Sequence, residues 1–147
     1  MHSKRYLITQ AVSNRLQALA TAQGASYQQN PALPLDARFS GDKLMFVMPR
    51  GDKLTSQPGQ REEKRLMRLV VGAFSTADGS ESAADELHFA TRDMLKSELA
   101  RAAMKAEGAV LVREVELEPE LKDVATVGAL LLSAYEIEYI QTYPSAA

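Results

Sequence analysis

Hydrophobic and polar positions change period several times along the chain. Ile8, Val12, Leu16 and Leu19 recur every three to four residues, with Ala11, Arg15 and Ala20 between them. This spacing predicts an amphipathic helix from about 4 to 22, closed by Gly24. Residues 25–37 keep neither the helical nor the strand period and contain Pro31 and Pro34, so they read as a connecting loop. The apolar run 44–48 predicts a strand over 38–48 that stops at Pro49-Arg50-Gly51-Asp52. Segment 49–63 is polar, carries two glycines and two prolines, and is too long for a hairpin turn of about 2 to 5 residues. It is expected to be a long flexible loop.

A second strand follows over 64–75. Met67, Leu69, Val71 and Ala73 point to one side, and Leu66, Val70 and Phe74 to the other, with Arg68 interrupting. Residues 80–82 then open one long helix, with Ser82 and Asp85 spaced as a capping box. Its expected buried stripe is Leu87, Thr91, Met94, Leu95, Leu99, Ala102 and Ala106, and Lys105 and Gly108 mark its end. Over 110–118, Leu111, Val115 and Leu117 face one way and Glu114, Glu116 and Glu118 the other. A turn at 119–123 leads into a final strand from Val124 or Thr126 to Tyr143.

The order α-β-β-α-β-β implies an α+β fold, a mostly antiparallel four-stranded sheet with two helices packed on one face. At 147 residues the chain fits a single domain spanning 1–147, with the polar loop 49–63 as its one long excursion. Strands of mixed hydrophobicity leave one sheet face partly uncovered, which favours contact with a partner chain.

Composition narrows the chemistry. There is no cysteine, so disulfides, thiolate zinc sites and cysteine nucleophiles are excluded. The first residues hold no apolar stretch of signal-peptide length, and the longest charge-free apolar run, 124–135, is too short for a membrane helix. A net charge of −2 argues against a dedicated nucleic-acid surface. His88, with Asp85 and Arg92 one helical turn away, reads as a local polar cluster, because no second histidine at ligand spacing supports a metal. The chain contains no Gly-x-Ser-x-Gly elbow, no Gly-x-Gly-x-x-Gly and no P-loop. Arg50-Gly51-Asp52 matches an adhesion tripeptide, but Gly-Asp after a strand is already accounted for by turn chemistry. No cofactor and no enzymatic activity are expected.

Charge placement says more. Between 50 and 68 six basic residues (Arg50, Lys53, Arg61, Lys64, Arg65, Arg68) outnumber three acidic ones, whereas between 113 and 123 five acidic residues outnumber two basic ones. One patch meeting the other on a neighbouring copy would be a head-to-tail contact, which closes a ring when the rotation allows. Glu136 and Glu138, two apart in an extended strand, would sit roughly 6.5–7 Å from one another, within reach of two-carboxylate chemistry. Placed on one polar face with Glu114, Glu116 and Glu118, they read instead as wet or met by basic residues of a neighbour, Arg65 and Arg68 among the candidates.

In this order of elements the chain resembles the tail terminator, or tail-completion, proteins of tailed bacteriophages. The likeness rests on the short N-terminal helix, the strand ending at 44–48, the polar loop, the strand 66–74, the acidic-capped helix and the closing Tyr135-Glu136-Ile137-Glu138-Tyr139. The resemblance implies a non-enzymatic homo-oligomeric, hexamer-like ring in the virion tail, assembled in the bacterial cytoplasm. Such a ring caps the tail tube and offers the head connector or neck proteins a docking surface. The alternatives are a small α+β enzyme or ligand-binding domain, and an interaction protein of a phage-tail-like secretion system.

Overall fold

The structure, a computed structural model, describes residues 2–31, 42–76, 80–117 and 128–144. Helix α1, Lys4–Ala22, starts where the Ser3 hydroxyl accepts the Tyr6 amide at 3.2 Å. It stops at a Schellman motif: Gly24 adopts φ +68°, and the amides of Gly24 and Ala25 return to the carbonyls of Thr21 and Ala20. Ile8, Val12, Leu16 and Ala20, each four apart, form its buried stripe.

The next segment departs from the sequence reading. Ser26–Gln29 is a strand, β1, parallel to Lys43–Gly59, β2, with Ser26 opposite Leu44 and Gln29 opposite Val47. Tyr27 holds it there, its hydroxyl 2.5 Å from the Ser13 hydroxyl of α1. The rest of the expected loop, 32–37, and the first residues of the expected strand, 38–41, lie outside the described residues.

Strand β2 does not stop at Pro49. It runs to Gly59 and pairs antiparallel with β3, Glu62–Ser75, through shifts after Pro49, Leu54 and Ser56. Thus 49–63 is the outer half of a hairpin that turns at Gln60 and Arg61, not a connecting loop. Because β1 pairs only with residues 44–47, β2 is an edge strand from there outward. An edge tolerates the missing amides of Pro49 and Pro58, and the shifts absorb their geometry.

The expected single long helix is two, α2 (Ser80–Lys96) and α3 (Glu98–Ala106). Ser97 breaks it: its backbone is extended (φ −69°, ψ 151°), and its hydroxyl caps α3 by accepting the Ala100 amide at 3.2 Å. The break resets the helical phase. Leu87, Thr91 and Leu95 are buried as expected, but beyond Ser97 the buried residues are Ala100 and Met104, while Leu99 is 71% exposed. Ser82 lies inside the first turn of α2, so the Ser82–Asp85 pair does not mark its start.

Ala109–Val115 (β4) and Ala129–Thr142 (β5) complete a five-stranded mixed sheet of order β1-β2-β3-β5-β4. The fold is α+β, with five strands and three helices where four and two were expected. The expected turn at 119–123 lies outside the described residues, and β5 is described from Ala129.

One sheet face carries Met45, Val47, Met67, Leu69, Val71, Tyr135, Ile137 and Tyr139, packed against Ile8, Val12 and Leu16 of α1, Leu87 and Leu95 of α2 and Met104 of α3. The opposite face buries Leu44, Phe46, Met48, Val70, Phe74 and Ala134. Arg101 of α3 ties the helices to the sheet edge, donating from Nε to the Leu95 carbonyl at 3.0 Å and from Nη1 to the Val112 carbonyl at 2.6 Å.

Gly72 lies beneath Phe46 on this second face. A Cβ there would come within 2.2 Å of Phe46 Cζ and 2.7 Å of Leu132 Cδ2. Gly72→Ala is therefore expected to destabilise the fold by about 1–3 kcal/mol, read as a lower urea midpoint with unchanged slope.

Candidate interaction site on the sheet

The outer half of the β2–β3 hairpin forms an arm, backed on one side by the end of β5. Every residue from 53 to 62 is exposed. Register decides which side each charge occupies, since residues directly opposite one another share a face.

On the face away from the helices, Arg68, Glu136 and Arg113 stand in one row across β3, β5 and β4. Arg68 Nη2 donates to Glu136 Oε1 at 2.9 Å, and Arg113 Nη2 donates to Oε2 at 2.7 Å. The Glu136 side chain is 13% exposed. Hydrogen bonds from Arg113 and Arg68 hold its carboxyl below the usual range, against the opposing effect of burial. Glu136 is thus not a free carboxylate. Glu138, opposite Leu66 and Leu111, is exposed on the same face.

The expected row of five carboxylates is divided. β4 pairs with Arg113 opposite Glu136 and Glu114 opposite Tyr135, so Glu114 falls on the helix face. There it lies 3.6 Å from Arg92 Nε of α2. The Tyr135 hydroxyl beside it is buried and makes no hydrogen bond among the described residues. Burial, then the charge of Glu114, pushes its pKa up to about 12. Glu116 is exposed beyond the end of β4, and Glu118 lies outside the described residues.

Arg65 is also on the helix face, away from Glu136. Its Nε donates to Asp52 Oδ2 at 3.1 Å and its Nη1 to Glu63 Oε1 at 3.2 Å. Tyr139 donates to Asp52 Oδ1 at 2.8 Å and Tyr143 to Glu63 Oε1 at 2.7 Å. Burial, and then the bond to Asp52, raise the Tyr139 pKa. Asp52 therefore braces the root of the arm, and the Arg50-Gly51-Asp52 tripeptide lies within a strand with its carboxylate engaged. Reading 49–63 as a loop concealed this network, and unbroken strand alternation would not have revealed it: the register shift between Pro49 and Gly51 is what brings Asp52 opposite Met67, beside Tyr139.

These pairings engage Asp52 and Glu63 and leave Glu62 exposed beside the basic residues of the arm. Arg50, Lys53 and Lys64 make no ion pair among the described residues, and the Arg61 guanidinium donates only to the Pro144 carbonyl, at 2.7 Å. Between the arm and the Arg68–Glu136 pair lies a hollow of about 190 Å³ lined by Gly51, Lys53, Leu66 and Met67.

His88 points from α2 to the sheet, with Nε2 2.5 Å from the Ser133 hydroxyl. Ser133 is only 5% exposed. Burial and then Arg92 lower the His88 pKa, against Glu114 and Asp85. Among the described residues no three His, Asp or Glu side chains gather in a way that could hold a metal, and no helix is long and apolar enough to cross a membrane.

No protein-family model matches the chain, and no curated protein matches it.

Two windows of pH sensitivity follow. The Glu136 pairs add stability above the unfolded carboxylate pKa of about 4.3 and lose it as pH falls through the lower folded value. Glu136→Gln should flatten the fall in urea midpoint below about pH 4.5. Folded His88 takes up its proton at lower pH than unfolded His, so stability declines as pH falls below about 6.5. His88→Gln should remove the slope that sets in below about pH 6.5, measured by the same unfolding series.

Proposed function

We propose that the chain is a structural assembly protein that acts as a homo-oligomeric ring, of the tail-terminator kind, in a phage tail or a phage-tail-like assembly. The observation that carries this reading is the arm. A two-stranded projection in which Asp52 and Glu63 are braced inside the chain, while Arg50, Lys53 and Lys64 are exposed, is suited to meet a protein surface. Its bracing through Asp52, Arg65 and Tyr139 lowers the cost of ordering it on contact. In this reading one face of the ring meets the tail tube protein and the other the head connector or neck proteins. Head-to-tail contacts between copies give the ring its closure.

Several features agree with a non-catalytic role. The one histidine placed against a hydroxyl is packed on a buried serine. The paired glutamates of the final strand are divided, Glu136 neutralised between two arginines and Glu138 left to solvent. A small enzyme would need a titratable group in an accessible pocket, and neither of these supplies one.

The deciding experiment is electron microscopy of tails assembled without this protein. Tails that overrun their normal length or continue to polymerise are expected, with complementation by the wild-type chain. Tails of normal length that join heads normally would remove the terminator reading.

A further inference from the structure

The helix layer carries an exposed aromatic that the fold does not use. Phe89 of α2 is 68% exposed, although the neighbouring positions Leu87 and Thr91 are buried. Asp85, Glu86 and Asp93 lie four and three residues before it and four after, so they surround it on the same side of the helix. All three are exposed, and none makes an ion pair among the described residues. Leu99, 71% exposed, lies ten residues further on, across the Ser97 break at the start of α3. An aromatic side chain with a charged rim is the usual composition of an interface anchor.

The hollow beside the arm has the complementary character. Leu66 gives it an apolar floor, and Lys53 stands at its rim with no ion pair among the described residues. Its two carboxylates are already engaged, Glu136 by Arg68 and Arg113, and Asp52 by Arg65 and Tyr139. Arg50 and Lys64 add further positive charge on the same arm. An apolar cavity of about 150 Å³ takes up benzene, so a hollow of about 190 Å³ has room for a phenyl side chain.

We propose that Phe89 of one copy seats in the hollow between Lys53 and Arg68 of the next, its acidic rim facing the basic arm. This rests on the ring reading and names the surfaces that would join the copies. The hollow opens on the helix-free face, because Lys53, Leu66, Arg68 and Glu136 share that face by register. Phe89 belongs to the helix layer on the other side. One copy therefore presents two different surfaces and the contact is heterologous: it closes a ring or continues as a filament, and it does not stop at a two-fold dimer. Electrostatic complementarity sets the orientation, and the aromatic anchor supplies most of the affinity.

The test uses two variants of the full chain, Phe89→Ser and Lys53→Glu. Both positions are exposed, and circular dichroism should show both variants folded. In sedimentation velocity the wild type is expected to form oligomers. Each variant alone should associate about thirtyfold more weakly, the size of a hot-spot truncation. Mixing the two should restore a one-to-one pair, since the Lys53→Glu copy keeps its Phe89 and the Phe89→Ser copy keeps its hollow. An oligomer that neither variant weakens, or variants that fail to complement on mixing, would overturn this contact and leave the ring reading to be judged on tail length. A wild type that stays monomeric at every accessible concentration also overturns it, as does an arm that binds only a different protein.

Discussion

The pairing of β3 with β5 is the constraint on which the rest of the molecule depends. Each strand has fourteen residues, and the register runs without a shift from Glu62 opposite Thr142 to Ser75 opposite Ala129. Because side chains alternate along a strand, this single register assigns every residue of both to one face or the other. It puts Tyr135, Ile137 and Tyr139 under the helices and Glu136 in line with Arg68. A slip of one residue would drive Glu136 into the helix core and turn three large apolar side chains outward. Irregularity is confined to the flanking strands, with shifts in the pairing of β2 and of β4.

Two kinds of information were available from the sequence, and they reached different depths. Local periodicity gave α1 with its Gly24 stop, the alternation of β3 and the Tyr135–Ile137–Tyr139 face of β5, because each element keeps one period throughout. It failed where a single residue changed the phase. Ser97 interrupts a helix whose apolar spacing otherwise continues, so Leu99 read as buried and Met104 did not. Pro49 and Gly51 are turn residues by propensity, yet an edge strand can hold them, so propensity alone turns the arm into a loop.

The charged residues were harder still. Their clustering in sequence was visible, but their pairing depends on which strand lies next to which and in what register. Arg65 and Arg68 are three apart and therefore on opposite faces of β3, so they serve two separate networks. Glu114 and Glu136 looked like one polar face, and a difference of one position in the pairing of β4 with β5 separates them. What remains for contact with other molecules is the surplus of basic charge after these internal pairs are made.

Arg101 has a consequence for how this sheet ages in a crowded solution. Strand β4 is an outer strand with Val110 60% and Leu111 45% exposed, the composition of a site for runaway strand addition. By occupying the Val112 carbonyl from α3, Arg101 takes away an acceptor that an incoming strand would need for hydrogen bonding. On the other flank β2, an edge strand beyond the residues that pair with β1, is guarded differently, by Pro49, Pro58 and three irregularities in its pairing. The edge of β4 and the outer half of β2 thus each carry a feature that disfavours amyloid-like lateral growth.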